Sequence, residues 1–485
     1  MSNPLQGTKP ELVWKYFAEI SKIPRCSKNE KKISDYVVET AKKLGLEVKR
    51  DKFLSVVVSK PASKGFENKP SICLQGHLDM VGEKNKEKVH DFDKDPIELI
   101  VKDNFLTANG TTLGADNGVA VATNLAIMED KSLEHGPLEF LFTIDEETGL
   151  TGANNLQPDF VKSRILLNLD SEEEGIVYVG CAGGQNITAT WKAAYESAPV
   201  NYTSTIVKVR GLKGGHSGAE IDKSRGNSIK ILNRVLIALQ KINARIASIE
   251  GGNKSNAIPR EAEALVYIPT KKLNEANALV SQFDSIIKAE LESIDPKLSI
   301  VLEEIKGKKN GKVLKKPLQE KLLRMISALP HGVIKMSADI PNLVETSTNV
   351  AIIRSDKNKI EVVTSQRSSV ASEIDEIGQS VASVFVLGGA DIKVSDAYPG
   401  WKVNLDSPIL KTAKQTYASL FGKEPEVKAI HAGLECGIIG EKYPGMDMLS
   451  MGPTMEGVHT PEEKLHIDTV EKYWKYLLAI LKNVQ

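Results

Sequence analysis

The chain has 485 residues, enough at roughly 150 per domain for about three units or two large ones. Lys plus Arg number 63 and Asp plus Glu number 63, so the formal net charge is zero, which argues against a polyanion-binding surface and against nucleic acid as a partner. Hydrophobic residues at 41% and charged residues at 26%, with 36 Gly and 21 Pro, match globular usage and exclude a fibrous or wholly disordered chain.

No apolar run approaches the roughly 18 residues of a membrane span. The richest, Gly118 to Met128, contains Thr123 and Asn124. The first 22 residues carry Glu11 and Glu19 and lack an apolar block with a small-residue cleavage site, so a cytoplasmic location is expected. Cys26, Cys73, Cys181 and Cys436 lie far apart without a CxxC pair. They read as reduced, mostly buried thiols rather than as a disulfide framework or a thiolate zinc site.

Helical spacing runs from Glu11 to Leu44 with a break at Pro24 to Asn29. Short unalternating apolar runs follow at Ser55 to Val58, Ser71 to Leu74, Leu138 to Ile144 and Ile165 to Leu169, with a helical pattern from Gly118 to Met128 between them. Such runs predict strands buried on both faces of a mostly parallel sheet covered by helices, an α/β unit. After Cys181-Ala-Gly-Gly the character changes. Strand-like Thr205 to Val209, helix-like Ser228 to Gln240, strand-like Ala264 to Ile268, a helix striped by Leu273, Ala276, Val280 and Ile287, and strand-like Leu298 to Leu302 predict a βαββαβ unit that closes as an open-faced sheet.

Lys306 to Lys316 holds six lysines and reads as a solvated loop. Beyond it, Asn349 to Ile353, Ile360 to Thr364, the helix-like Val370 to Leu387 and Asp391 to Val394 resemble a second, partial copy. A helix, a strand at Asp447 to Ser450 and a helix from Asp468 to Leu481 can complete the first unit. The division is therefore residues 1–184 and 398–485 for a catalytic domain and 185–397 for an inserted α+β lid, itself divisible near 306–316.

Three of the apolar runs end in metal-ligating residue types. Ser71 to Gln75 leads into Gly76-His77-Leu78-Asp79, Leu138 to Ile144 into Asp145-Glu146-Glu147, and Ile165 to Leu169 into Asp170. Open parallel sheets bind ligands at that edge. Gly114-Ala115-Asp116-Asn117-Gly118 adds a carboxylate ahead of an apolar helix, and Gly457-Val458-His459 adds an imidazole after the last strand. So many carboxylates at a partly dry edge repel one another unless a cation neutralises them. His77, Asp116, Glu147, Asp170 and His459 divide as one His and one carboxylate per ion with one carboxylate shared. That donor set suits two divalent ions, zinc, cobalt or manganese, with positions left for water.

These segments, together with Gly214-Gly215-His216-Ser217-Gly218 and His459-Thr460-Pro461, resemble the di-zinc exopeptidase family that includes carnosinases and aminoacylases. Cys181-Ala182-Gly183-Gly184, Ser255-Asn256-Ala257-Ile258-Pro259 and His431-Ala432-Gly433-Leu434-Glu435-Cys436 are similar to its dipeptidase members, which implies dipeptide substrates such as Xaa-His. The resemblance implies that His77 and Asp170 bind one ion, Glu147 and His459 the other, and that Asp116 bridges them across a cis Asp116–Asn117 peptide. It makes Glu146 the general base. In an extended chain Glu146 and Glu147 point in opposite directions, so one can ligate while the other faces the reaction. Asp79 reads either as the carboxylate orienting His77 or as a loop cap.

His216 resembles the histidine that stabilises the oxyanion, supplied by the same chain or by the partner of a homodimer. A dipeptidase must also recognise both ends of its substrate. Arg367 reads as a carboxylate clamp or a surface residue, Asn256 as a hydrogen-bonding group at the same end or a turn former, and Glu435 as the acceptor of the free amine. Hydrolysis of N-acyl amino acids or longer peptides on the same metals is the alternative activity, and a non-catalytic scaffold a third reading. No residue of the catalytic set is missing, which disfavours the scaffold.

Overall fold

The structure is a computed structural model that describes residues 4–305 and 311–485. The Lys306 to Asn310 part of the lysine-rich stretch lies outside the described residues. The chain divides into two compact units, residues 1–181, 401–429 and 434–485 forming the first and 182–400 with 430–433 the second. The sequence reading drew these lines at 184/185 and 397/398 and left the short 430–433 excursion in the first unit.

The first unit opens with helices Glu11–Ile20 and Lys31–Lys43. The latter buries Ile33, Val37 and Ala41, four residues apart on one face. Its eight-stranded sheet runs in the order Glu47–Arg50, Val56–Lys60, Leu138–Thr143, Ile72–His77, Ile165–Asn168, Asp447–Ser450, Ile176–Cys181 and Glu426–Ile430. The four central strands are mutually parallel, with His77 opposite Thr143 and Gln75 opposite Asn168. The pairings of Val56–Lys60 and Ile176–Cys181 onto this centre are antiparallel. Ile72–His77 and Leu138–Thr143 are buried at every position, which is why their apolar runs do not alternate.

Helix Ala115–Glu129 is buried on nearly all sides and packs against Glu11–Ile20 and Ile72–His77. Its first turn is broken: Asp116 and Asn117 take non-helical angles, and the peptide between them is cis. Gly114 ahead of it has φ +68°, and a Cβ there would fall 2.6 Å from Arg25 Nη2 and 2.7 Å from Met80 Sδ. Only glycine fits that turn.

In the second unit, strand Tyr202–Arg210, helix Ser228–Lys241, strands Arg245–Gly251 and Ala262–Pro269, helix Leu273–Glu290 and strand Ser299–Glu304 make the expected βαββαβ copy. Asn227 caps its first helix by accepting from the Ile229 and Lys230 amides at 3.0 and 3.1 Å. The second copy is complete, not partial. Its first strand, Gly183–Lys192, precedes the whole first copy, and the chain returns with helix Lys316–Ala328, strands Val344–Ser355 and Lys359–Ser368, helix Ala371–Leu387 and strand Asp391–Tyr398. Numbered within each copy, the strands lie in the order 4-1-3-2 followed by 2-3-1-4 in one continuous sheet. One apolar cluster joins strands and helices of both copies, including Val207, Leu232, Val280, Ile326, Val362 and Phe385.

The copies meet where Gly251 pairs with Ile353. The next residue, Gly252, has φ +68°, and a Cβ there would lie 1.9 Å from the Ala351 carbonyl oxygen. Gly252→Ala is therefore expected to cost about 1–3 kcal/mol through strain at this seam. Hydrogen exchange should show faster exchange in Arg245–Gly251 and Val344–Ser355, with the first unit's strands unchanged.

Candidate metal centre

The parallel strands deliver three segments to one edge. His77 ends its strand, Asp170 follows Asn168 by two residues, and Glu146 and Glu147 follow Thr143 by three and four. The kinked start of helix Ala115–Glu129 brings Asp116, and the loop after strand Met455–Glu456 brings His459. These side chains converge. His77 Nε2 lies 3.1 Å from Asp116 Oδ1 and 3.4 Å from Asp170 Oδ1, while His459 Nε2 lies 3.0 Å from Asp116 Oδ2 and 2.9 Å from Glu147 Oε2. Asp116 thus presents one oxygen to each imidazole, the arrangement of a shared ligand.

The donor set fits two divalent ions. Two donors each about 2.0–2.1 Å from a tetrahedral ion sit about 3.3 Å apart, close to the spacings within each trio. Asp170 Oδ1 is buried without a hydrogen-bonding partner among the described residues. The electrostatics agree. Burial pushes Asp170 up to about 6, with Asp116 and Glu147 adding repulsion against the pull of His77. Burial likewise lifts Glu172 to about 8, with Asp116 and Asp170 contributing.

Hydrogen bonds from Asp116 and Glu147 hold His459 up at about 11. Burial works to lower His77, and Asp170, Asp116 and Asp79 override it and raise it well above the usual imidazole range. Metal uptake at these imidazoles would displace protons from them.

Asp79 contacts both His77 and the Glu146 turn. The Nδ1 of His77 lies 3.2 Å from the Asp79 carbonyl oxygen and 3.3 Å from Oδ1, with Nε2 turned toward Asp116 and Asp170. The same carboxylate accepts from the Glu146 and Glu147 amides at 3.0 and 3.2 Å and from Ser27 Oγ at 2.8 Å. Capped in this way, Glu146–Gly149 is a helical turn, so the extended chain expected there is corrected. Successive helical residues still diverge, and Glu147 reaches His459 while Glu146 does not. Burial, with Asp170, Glu435 and Glu147 adding to it, raises Glu146 well above the usual carboxylate range.

Glu435 starts helix Glu435–Lys442 and is wholly buried. Its Oε2 accepts from Gln75 Nε2 and Thr143 Oγ1, both at 2.6 Å, while Oε1 has no partner among the described residues. Burial pushes it up to about 7, with Asp170 and Asp79 contributing.

The second unit holds the remaining candidates. Gly215–His216 pairs antiparallel with Ala257–Ile258, so the His216 and Asn256 segments form one ribbon. The amides of Gly218 and Ala219 donate to His216 Nδ1 at 3.3 and 3.0 Å, which places the ring proton on Nε2. Burial, then the Arg367 charge, lowers His216 to about 4, so it is a neutral donor at neutral pH. A Cβ at Gly218 would lie 2.3 Å from the His431 carbonyl oxygen, so glycine is needed for this loop to close.

Asn256 is exposed, and its carbonyl accepts from the Ser217 amide at 2.9 Å. Arg367 is not a surface residue. It is 7% exposed, Nη1 donates to the Tyr398 hydroxyl at 2.8 Å, and Nε has no partner among the described residues. His431 is buried with Nε2 2.7 Å from Ser347 Oγ.

Four residues escaped sequence reasoning. Asn117 accepts from the His77 amide at 3.2 Å and donates to the Leu169 carbonyl at 2.9 Å, tying two ligand-bearing strand ends together. Glu172, Arg25 and Glu463 also surround the centre. Asn117 lay inside the quoted Gly114 to Gly118 segment, and Glu172 and Glu463 lie just beyond the quoted Asp170 and His459 segments, but no spacing rule singles them out. Arg25 lay in the break between two helices.

The family model described as peptidase family M20/M25/M40 matches residues 73–483. The chain is 40% identical over 481 residues to the cytosol non-specific dipeptidase of Escherichia coli strain K12, covering 99% of both chains. It is similar at 40% identity to the crystal structure of aminoacylhistidine dipeptidase from Vibrio alginolyticus, with a TM-score of 0.91 over 99% of this chain and 98% of that one. The crystal structure of aminopeptidase PepT from Bacillus cereus shares the fold, with a TM-score of 0.57 at 17% identity over 98% of this chain and 99% of that one.

Asp79→Asn preserves size but sets an amide N–H against backbone N–H donors. Metal affinity, measured by titration of chelator-stripped protein, should fall about 10- to 100-fold. Unchanged affinity would restrict Asp79 to a loop cap.

Proposed function

The chain belongs to peptidase family M20/M25/M40, and on that premise we propose that it is a two-metal dipeptidase of the cytoplasm that hydrolyses unblocked dipeptides, Xaa-His among them. The observation that carries this reading is the pair of His-carboxylate trios joined through Asp116. Its likeness to relatives named as dipeptidases, one of them for the cytosol, supports the substrate class and location.

His77 and Asp170 would hold one ion, Glu147 and His459 the other, and Asp116 both. Zinc is the first choice, with cobalt or manganese compatible with the same donors. When bound, the ions would supply Lewis-acid polarisation of the peptide carbonyl and lower the pKa of water. Glu146 takes the proton from the attacking water as its oxygen bonds to the carbonyl carbon, and returns it to the nitrogen as the C–N bond breaks. Burial and the neighbouring carboxylates favour the protonated form of its carboxyl. His216, neutral with its proton on Nε2, is assigned to donate to the oxyanion.

Two incompletely paired buried groups suit the termini of a dipeptide. Among the described residues, Arg367 has an unpartnered donor for the free carboxylate and Glu435 an unpartnered acceptor for the free amine. Asn256, on the His216 ribbon, supplies a further amide for the carboxylate end.

Glu146→Gln should retain both ions and lose about 10²- to 10⁴-fold in kcat, whereas His459→Ala should lose metal occupancy. Parallel metal analysis and turnover of a free dipeptide check this, and near-normal turnover by Glu146→Gln would remove it as the base. Efficient hydrolysis of N-acetyl amino acids without dipeptide turnover would favour the alternative activity.

The terminal assignments have their own readout. Arg367→Gln and Glu435→Gln should each raise KM for a free dipeptide about tenfold or more. The Arg367→Gln penalty should vanish with a C-terminal amide and the Glu435→Gln penalty with an N-acetyl group. Penalties that ignore the blocking group would contradict both roles.

A further inference from the structure

Glu463 lies four residues beyond His459 and is 2% exposed. Its Oε2 accepts from the amides of Leu113 and Gly114 at 2.8 and 3.0 Å, and its Oε1 from those of Ala115 and Asp116 at 2.7 and 3.4 Å. One carboxylate thus gathers four consecutive amides of the turn that carries the shared ligand. Arg25, also buried, closes the turn from its other end. Its Nη2 donates to the Gly114 carbonyl, and its Nη1 to the carbonyls of Leu78 and Asp79 at 3.0 and 2.9 Å.

We propose that Glu463 is a positioning residue that sets the separation between His459 and Asp116, and so tunes the ion held by Glu147 and His459 more than the ion held by His77 and Asp170. The reasoning is geometric. His459 and Glu463 share one short loop, so a carboxylate anchored on the Asp116 turn fixes the imidazole relative to that turn, where His459 Nε2 stands 3.0 Å from Asp116 Oδ2. His77 ends, and Asp170 follows, strands that are fixed outside that turn, by the pairing at Gln75 and Asn168. Glu463→Gln keeps the length but sets an amide N–H against backbone N–H donors, which forces the two loops apart.

This inference rests on the two-metal reading, and the test separates them. Full-length protein is stripped by chelator and titrated with zinc by calorimetry, alongside His459→Ala, Glu463→Gln, Glu463→Asp and the exposed control Glu462→Gln. The unaltered protein and the control should bind two ions in two steps, and His459→Ala should abolish the weaker-held step. Glu463→Gln should weaken that same step about 10- to 100-fold while leaving the other unchanged, and Glu463→Asp, which keeps the charge, should recover part of the loss.

An unaltered protein that binds fewer than two ions would sink the metal reading itself. Two ions in the unaltered protein with equal weakening of both steps in Glu463→Gln, or with no weakening, would overturn only the Glu463 assignment. Failure of both Glu463 variants to fold would also overturn it, since the residue would then be a structural support of the whole domain.

Discussion

Negative charge packed at the carboxyl edge of a parallel sheet is the constraint around which the first unit is built. Asp116, Glu146, Glu147, Asp170 and Glu172 crowd about two imidazoles in a mostly buried setting. Without compensation, such a group must bind protons, and the raised positions of Asp170, Glu172 and His459 express that pressure. Two dications held there would relieve it at once and would supply Lewis-acid chemistry. The sheet supplies the convergence, because parallel strands whose ends lie side by side deliver their following residues to one place.

Convergence alone does not give a ligand geometry, and the backbone around the centre is fixed by polar side chains aimed at it. Asp79 holds a ring nitrogen of His77 and two amides of the Glu146 turn. Asn117 ties the His77 amide to the Leu169 carbonyl, and Glu463 with Arg25 encloses the Asp116 turn. Buried polar groups of this kind are costly unless fully paired, which suits them to fixing one arrangement against its alternatives.

The five residues that converge stand out in the sequence as candidate ligands because strand periodicity ends abruptly in acids and imidazoles, a contrast that one chain displays without an alignment. The helical turn at Glu146–Gly149 was not, since it depends on a cap from Asp79, 67 residues earlier. Glu463 reads as half of an ordinary acidic pair, and only the fold reveals four amides around it. The repeat in the second unit looked partial for a topological reason. Its first strand, Gly183–Lys192, stands ahead of the entire first copy, so no local pattern connects it to Lys316–Ala328. Arg367 was ambiguous because a buried and a surface arginine look alike in sequence.

The most direct test of the shared centre is anomalous diffraction from crystals of zinc-loaded protein. Two separate peaks are predicted, one beside His77 and Asp170 and one beside Glu147 and His459, with an oxygen of Asp116 on each. A single ion, or two ions bound away from Asp116, would contradict the account.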